Sequence, residues 1–181
     1  MTPEQGWRRG VFIGLGANLG DPLAQMRDAL ARLGAIPGVR VLRDSGPWRS
    51  PPWGVLEQPP FVNAVAELET ALAPDALLQR LIEVERAGGR ERGGARWGPR
   101  TIDLDLLLDG EAEVDLPGCS VPHPRIAQRA FVLVPLAVLA PTARVPGHGV
   151  VRELLDALDP AERAAVQPID ATIDPCAAAR R

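Results

Sequence analysis

RWGPRTIDLDLLLDG, Arg96 to Gly110, is the stretch on which the reading of this chain turns. Within it Ile102, Leu104 and Leu106 alternate with Asp103 and Asp105. Successive side chains of a strand point to opposite faces, so the two aspartates project the same way, roughly 6.5 to 7 Å apart along the strand. The apolar set gives that strand a core to sit on, and the acidic face stays open. Paired carboxylates on an open face are how hard cations are held: Mg²⁺ takes oxygen ligands and completes its shell with water and substrate phosphates, and a pair of metals about 3.5 to 4 Å apart can be bridged by such groups.

The flanks sharpen this. From Arg86 to Arg100 there are five arginines against one glutamate, a net charge of +4, whereas Thr101 to Pro117 carries six acids and no base. The basic part is also rich in glycine (Gly88, Gly89, Gly93, Gly94, Gly98), so a loop is expected that closes guanidinium groups over phosphate oxygens. Cations and metal on one polyphosphate point to phosphoryl-type transfer, in which catalysis is mostly positioning and charge stabilisation. A bare D-x-D would more often be two solvated aspartates; R-W-G-P-R-x-x-D-x-D assembles every part of one chemistry.

Four blocks of this sequence, in order, resemble the 6-hydroxymethyl-7,8-dihydropterin pyrophosphokinase family of folate biosynthesis: FIGLGANLGDP (Phe12 to Pro22), SPPWG with QPPFVNAV (Ser50 to Val65), RWGPRTIDLDLL, and VPHPRIAQRAFVLVPLAVLAP (Val121 to Pro141). The resemblance implies a cytoplasmic diphosphotransferase that moves pyrophosphate from ATP to the pterin alcohol and releases AMP, with two Mg²⁺ ions held by Asp103 and Asp105. It implies charge neutralisation by Arg90 and Arg100, and ATP contacts from Glu85, Arg92, Arg96, Leu106, Ser120, His123 and Arg129. It implies a pterin pocket of Pro51, Trp53, Gly54, Phe61, Asn63 and Phe131, with Trp97 closing over it. In many relatives the position of Phe61 is tyrosine; stacking survives that change, but a hydroxyl contact does not.

The residues themselves support part of this. Phe61, Asn63 and Val65 alternate with Val62, Ala64, Ala66 and Leu68, and an aromatic ring beside an amide suits a flat heterocycle that stacks and pairs along one edge. Glu85 continues the apolar stripe of Leu78, Leu81 and Ile82, so a carboxylate there is either a cap partner or a ligand contact. His123 lies between Pro122 and Pro124; His148 reads as structural.

Composition excludes several alternatives. All 20 basic residues are arginine, which removes the lysine-dependent P-loop. GLGANLG is G-x-G-x-x-x-G and lacks the later ribose-binding acid, so a dinucleotide fold is disfavoured. A pI near 5.4 argues against nucleic-acid binding and against a noncatalytic ferredoxin-like module of the RNA-recognition kind. A metal-dependent nucleotidyltransferase remains the rival enzyme. Cys119 and Cys176 are too isolated for a disulfide framework or metal spacing. Arg8 and Arg9 imitate a twin-arginine signal, but Gly14, Gly16 and Asn18 interrupt the apolar run, and no stretch has the roughly 18 apolar residues of a membrane span.

Periodicity predicts strands at Val11 to Leu15, Val39 to Leu42 and Phe61 to Glu69, the aspartate strand, and a short one near Val114. It predicts helices at Pro22 to Gly34, Pro74 to Arg86, Arg125 to Leu139 and Val151 to Leu158. The prolines from Pro47 to Pro60 predict a loop without regular structure. The expected fold is α+β: a ferredoxin-like βαββαβ antiparallel sheet with helices packed on it and extra C-terminal helices. Residues 1–167 are expected to form a single catalytic domain, monomeric, acting on ATP and the pterin with neither nucleic acid nor membrane as partner, and 168–181 a flexible tail.

Overall fold

The computed structural model describes residues 6–52, 56–89 and 98–174. β1 (Arg8–Ala17) leads into α1 (Pro22–Gly34), β2 (Val39–Asp44), β3 (Trp48–Ser50), β4 (Phe61–Thr70), α2 (Pro74–Ala87) and β5 (Asp103–Asp109). β4 pairs with β1, β1 with β5, and β2 with β4, all antiparallel. The order β5-β1-β4-β2 is the ferredoxin-like arrangement expected from the sequence.

Local chemistry sets the helix starts. The Asp21 carboxylate accepts the Ala24 N–H at 3.0 Å and Pro22 occupies the first turn, a cap that satisfies an otherwise orphaned donor. α1 then buries Met26, Ala29, Leu30 and Leu33, and α2 buries Leu77, Leu81 and Val84. Both pack on the sheet face made by Val11, Ile13 and Leu15, by Ala64, Ala66 and Leu68, and by Ile102, Leu104 and Leu106. Each large side chain taken wholly out of water there contributes roughly 1.5–3 kcal/mol.

The opposite face is only partly covered. α3 (Ala130–Leu139) lies over Phe12, Val65, Leu107 and Leu108. A bulge in β5 makes this possible: Phe12 pairs with Leu108 and Ile13 with Leu106, leaving Leu107 as the extra residue. Beyond the bulge the alternation reverses. Leu108 therefore joins the α3 side, and Asp109, itself buried, is turned from its fellow aspartates to pair with the partly exposed Arg8, 2.8 Å away.

The structure departs from the sequence expectations in three places. Trp48–Ser50, inside the proline-rich stretch, is a strand paired with β4; three residues between Pro47 and Pro51 suffice for it because neither proline has to donate in the ladder. Residues 125–129 precede α3 rather than forming its first turn, and include the 3-10 turn Ile126–Gln128. The expected tail from Pro168 is anchored over its described length: β10 (Gln167–Pro168) pairs with β3, and Ile173 is wholly buried. Cys176 and the rest of 175–181 lie outside the described residues. The remaining elements are the hairpin β6 (Val114–Leu116) with β7 (Cys119–Val121), the hairpin β8 (Arg144–Val145) with β9 (Gly149–Val150), α4 (Val151–Ala157) and α5 (Pro160–Ala164). Among the described residues no helix is long and apolar enough to cross a membrane.

Candidate active site

Where α3 stops covering the sheet, two glycines leave its surface bare. Gly14 and Gly16 follow Phe12 on the same face of β1, with Asp105 and Asp103 beside them on β5 and Val65 and Asn63 beside them on β4. A Cβ at Gly16 would stand 3.4 Å from Asn63 Oδ1, and one at Gly14 3.5 Å from the Leu107 side chain. These glycines serve as a flat floor inside a strand, not as a phosphate-binding turn. Above them is a cavity of about 280 Å³ with an acidic wall on the β5 side and an aromatic wall on the β4 side.

The acidic wall is crossed by cations. Arg100 pairs with Asp103, and Arg129 Nη1 lies 3.5 Å from Asp105 Oδ2. His123 Nε2 is 3.9 Å from the same oxygen. Burial raises the Asp105 carboxyl above the ordinary carboxylate range and the neighbouring Asp103 charge adds to this, while His123, Arg129 and Arg100 oppose it. His123 is held below its ordinary value, first by burial and then by Arg129 and Arg125, against the pull of Asp105. Its Nδ1 accepts the Arg125 N–H at 3.1 Å, so the neutral ring carries its proton on Nε2 and offers a donor toward the acidic wall. Burial also lowers Arg129, opposed by Asp105, although a guanidinium remains charged at neutral pH.

The opposite wall is built for a ring. Phe61 from β4, Phe131 from α3 and Pro51 line it together with Asn63. Asn63 is buried, and its Nδ2 donates to the equally buried Ser50 Oγ at 2.8 Å. With that donor engaged, Oδ1 stands toward the glycine floor. Two phenyl rings and an oriented amide can hold a planar heterocycle by its faces and by a hydrogen-bonding edge.

Asp103, Asp105, Arg100, His123, Arg129, Pro51, Phe61, Asn63 and Phe131 are thus brought to one cavity. Three residues given ATP contacts do not line it. Glu85 is buried on α2 and accepts the Leu104 N–H at 2.7 Å, closing the outer edge of β5 between the two aspartates. Leu106 points into the helix-side core. Ser120 on β7 donates to Asp115 at 3.3 Å. Trp53, Gly54, Arg90, Arg92, Arg96 and Trp97 lie outside the described residues.

One organising residue escaped the sequence reading. Asn18, buried just past β1, donates from its backbone to the Arg100 carbonyl at 3.0 Å and accepts the Arg100 N–H on Oδ1 at 2.8 Å. Its Nδ2 donates to Gln58 Oε1 at 3.0 Å and to the Pro59 carbonyl at 3.1 Å. A single amide therefore ties β1 to Arg100 and to the loop before Phe61. In the sequence Asn18 only interrupts an apolar run, and partners 40 and 82 positions away leave no local trace.

Residues 12–141 match the family model described as 7,8-dihydro-6-hydroxymethylpterin-pyrophosphokinase. The chain is similar to the 2-amino-4-hydroxy-6-hydroxymethyldihydropteridine pyrophosphokinase of Pseudomonas aeruginosa, 48% identical over 147 residues, covering 81% of this chain and 90% of that protein. It is also similar to the enzyme of the same name from Methylorubrum extorquens, 44% identical over 150 residues, covering 83% of this chain and 94% of that one. Among solved structures, an HPPK-DHPS in complex with substrates superposes with a TM-score of 0.62 at 12% identity over 83% of this chain. A Plasmodium falciparum HPPK-DHPS with pterin and p-hydrobenzoate superposes with a TM-score of 0.66 at 11% identity over 92% of it. At those identities the likeness is one of fold, and the chain spans 43% and 48% of the length of those two structures.

Proposed function

Because the chain belongs to the 7,8-dihydro-6-hydroxymethylpterin-pyrophosphokinase family, we propose that it transfers pyrophosphate from ATP to 6-hydroxymethyl-7,8-dihydropterin in a Mg²⁺-dependent reaction that releases AMP. The observation that carries this reading is the facing of two unlike walls across a glycine floor: Asp103 and Asp105 with their cations on one side, Phe61, Asn63 and Phe131 on the other. A polyphosphate suits the first and a pterin the second.

The donor set fits Mg²⁺. Two carboxylates stand side by side, and Asp105 is raised partly by its neighbour's charge, a repulsion that a divalent cation relieves. Among the described residues no group of three or more His, Cys, Asp or Glu side chains could hold a metal by itself, which agrees with an ion that shares its ligands with substrate phosphates. Asp103 and Asp105 would hold it, and when bound it neutralises phosphate charge and orients the triphosphate.

The chain's own groups do the rest. Phe61 and Phe131 clamp the ring and Asn63 fixes its edge, which aims the hydroxymethyl oxygen across Gly14 and Gly16. That oxygen attacks the β-phosphorus in line, the bond from this phosphorus to the α-phosphate oxygen breaks, AMP leaves, and the hydroxyl proton is released. Arg100, assisted by Arg90, balances charge on the group in flight, and Arg129 and His123 Nε2–H donate to phosphate oxygens. Arg92 and Arg96 are assigned to the ATP side, and Trp53, Gly54 and Trp97 to the pterin side, while Glu85 serves by bracing β5. We place the catalytic unit in a single domain that includes the core-bound segment to Ile173, acting as a cytoplasmic monomer on small-molecule substrates.

Incubation with Mg-ATP and the reduced pterin alcohol tests this: AMP and pterin diphosphate are expected. ADP as product, or free pyrophosphate with a nucleotidylated acceptor, overturns it.

A further inference from the structure

Beyond residue 141, where the family match ends, the chain reaches back to the sheet. α5 sits against α3 on one face, and Val166 after it is buried. In β10, Gln167 pairs with Arg49 and Pro168 with Trp48, and the Ile169 N–H donates to the Pro47 carbonyl at 2.9 Å. The chain then crosses to the other layer. There the Thr172 carbonyl accepts from Arg27 Nε of α1 at 3.0 Å, and Ile173 is wholly buried in the core beneath α1 and α2. One short segment therefore passes round the edge of the sheet and is fastened to a helix layer on each side.

What it clasps is the shortest strand beside the cavity. β3 has three residues, and without β10 it would be an edge strand held by its pairing to β4. Short edge pairings fray most readily. Yet β3 bears directly on the aromatic wall: Ser50 pairs with Phe61, Trp48 pairs with Asn63, and Ser50 Oγ takes the Asn63 amide proton that sets which end of that amide faces the cavity.

We propose that the strap from Gln167 to Ile173 is a positioning segment for the ring-binding wall: burial of Ile173 keeps β10 on β3, and β3 keeps Ser50, Asn63 and Phe61 in the arrangement that takes the pterin. The inference rests on reading that wall as the pterin side. It assigns a task to a stretch outside the family match, and it separates the two substrates, because the strap pairs with β3, on the β4 side of the cavity.

The test compares chains ending at Asp174 and at Val166, together with Ile173→Ala and Ile173→Val in the full chain. Amide hydrogen exchange is followed at Trp48 to Ser50, and steady-state rates are measured with each substrate varied in turn. Removal of the strap, or Ile173→Ala, is expected to speed exchange at those amides by about tenfold and to raise the KM for the pterin about fivefold, as the share of molecules with an assembled wall falls to about one fifth. The KM for ATP stays within about twofold, because its wall is not involved. Ile173→Val and the chain ending at Asp174 keep the parent values. Where the shortened chain does not fold, Ile173→Ala carries the comparison. Unchanged exchange, a KM for the pterin that stays flat while exchange quickens, or equal rises in both KM values overturns the proposal. If the parent chain neither binds nor turns over the pterin, the functional reading falls and the substrate half of this proposal falls with it; unchanged exchange defeats the strap with that reading intact.

Discussion

At the scale of single residues, the site depends on charges that are worth more beside one another than apart. Asp103→Asn or Asp105→Asn keeps shape and removes a charge from the acidic wall, so kcat should fall about 10²–10³-fold at saturating Mg-ATP, the size of effect seen when one preorganised electrostatic contact is lost. AMP formation measures it, and near-parent rates in both variants would remove the metal assignment. Asp44, at the end of β2, shows the opposite economy. Burial raises its carboxyl above the ordinary range and the Asp174 charge adds to this, opposed by the Gly46 N–H that Oδ1 accepts at 2.8 Å. With the folded value above the unfolded one, the folded protein binds the proton more tightly, so ionised Asp44 works against folding at neutral pH. That penalty fades as pH falls through the raised value and is gone below the unfolded one. Asp44→Asn keeps an acceptor for Gly46 and should therefore stabilise the protein at pH 7 by less than about 1 kcal/mol after solvent screening. Near pH 3, below the unfolded carboxylate value of about 3.9, the gain should vanish. Denaturant unfolding at the two pH values is the measurement.

At the scale of elements, the aspartates are aimed by the joint between α2 and β5. Glu85 closes the exposed amide edge of β5 at Leu104, and three residues later Gly88 ends α2 directly against Ile102. A Cβ on Gly88 would lie 2.8 Å from Ile102 Cγ2, with Ile102 itself 1% exposed. Ile102 Cγ2 belongs to a short branched side chain that must shift to make room, so Gly88→Ala should cost about 1–3 kcal/mol, typical of overpacking. Glu85→Ala should cost a similar 1–3 kcal/mol or so by leaving a buried N–H unmade. Both are read from denaturant midpoints. Because this joint carries Asp103 and Asp105, each variant should also lower kcat at temperatures where it is fully folded; unaltered kcat would confine the joint to stability. The β5 bulge is the second device of this kind. It divides the three aspartates of the motif, leaving two for the cavity and committing Asp109 to Arg8.

At the scale of the whole molecule, the division between what could and could not be read from the chain follows interaction range. The sheet order, both helices of its covered face and the two faces of β4 and β5 were legible, because helical and strand periodicities act within a few residues and the hydrophobic effect sorts them without further instruction. The pairing of an acidic wall with an aromatic one was legible through the motif blocks. β3 was not, since prolines on both sides disguise a strand whose only requirement is a neighbour. Nor was the strap, QPIDATI, a short mixed run without periodicity in which a distant core accepts Ile173. By itself, then, the sequence determined the elements, their amphipathic faces and the residue types on which a phosphate and a flat ring could settle, all consequences of covalent order and local geometry. Tertiary structure alone decided that Gly14 and Gly16 form a floor, that Asn18 ties Arg100 to the loop before Phe61, that Glu85 braces the aspartate strand, and that Ile173 secures β3. Each of these is a contact across tens of residues, and only close packing of the finished fold selects which distant partner a buried group will find.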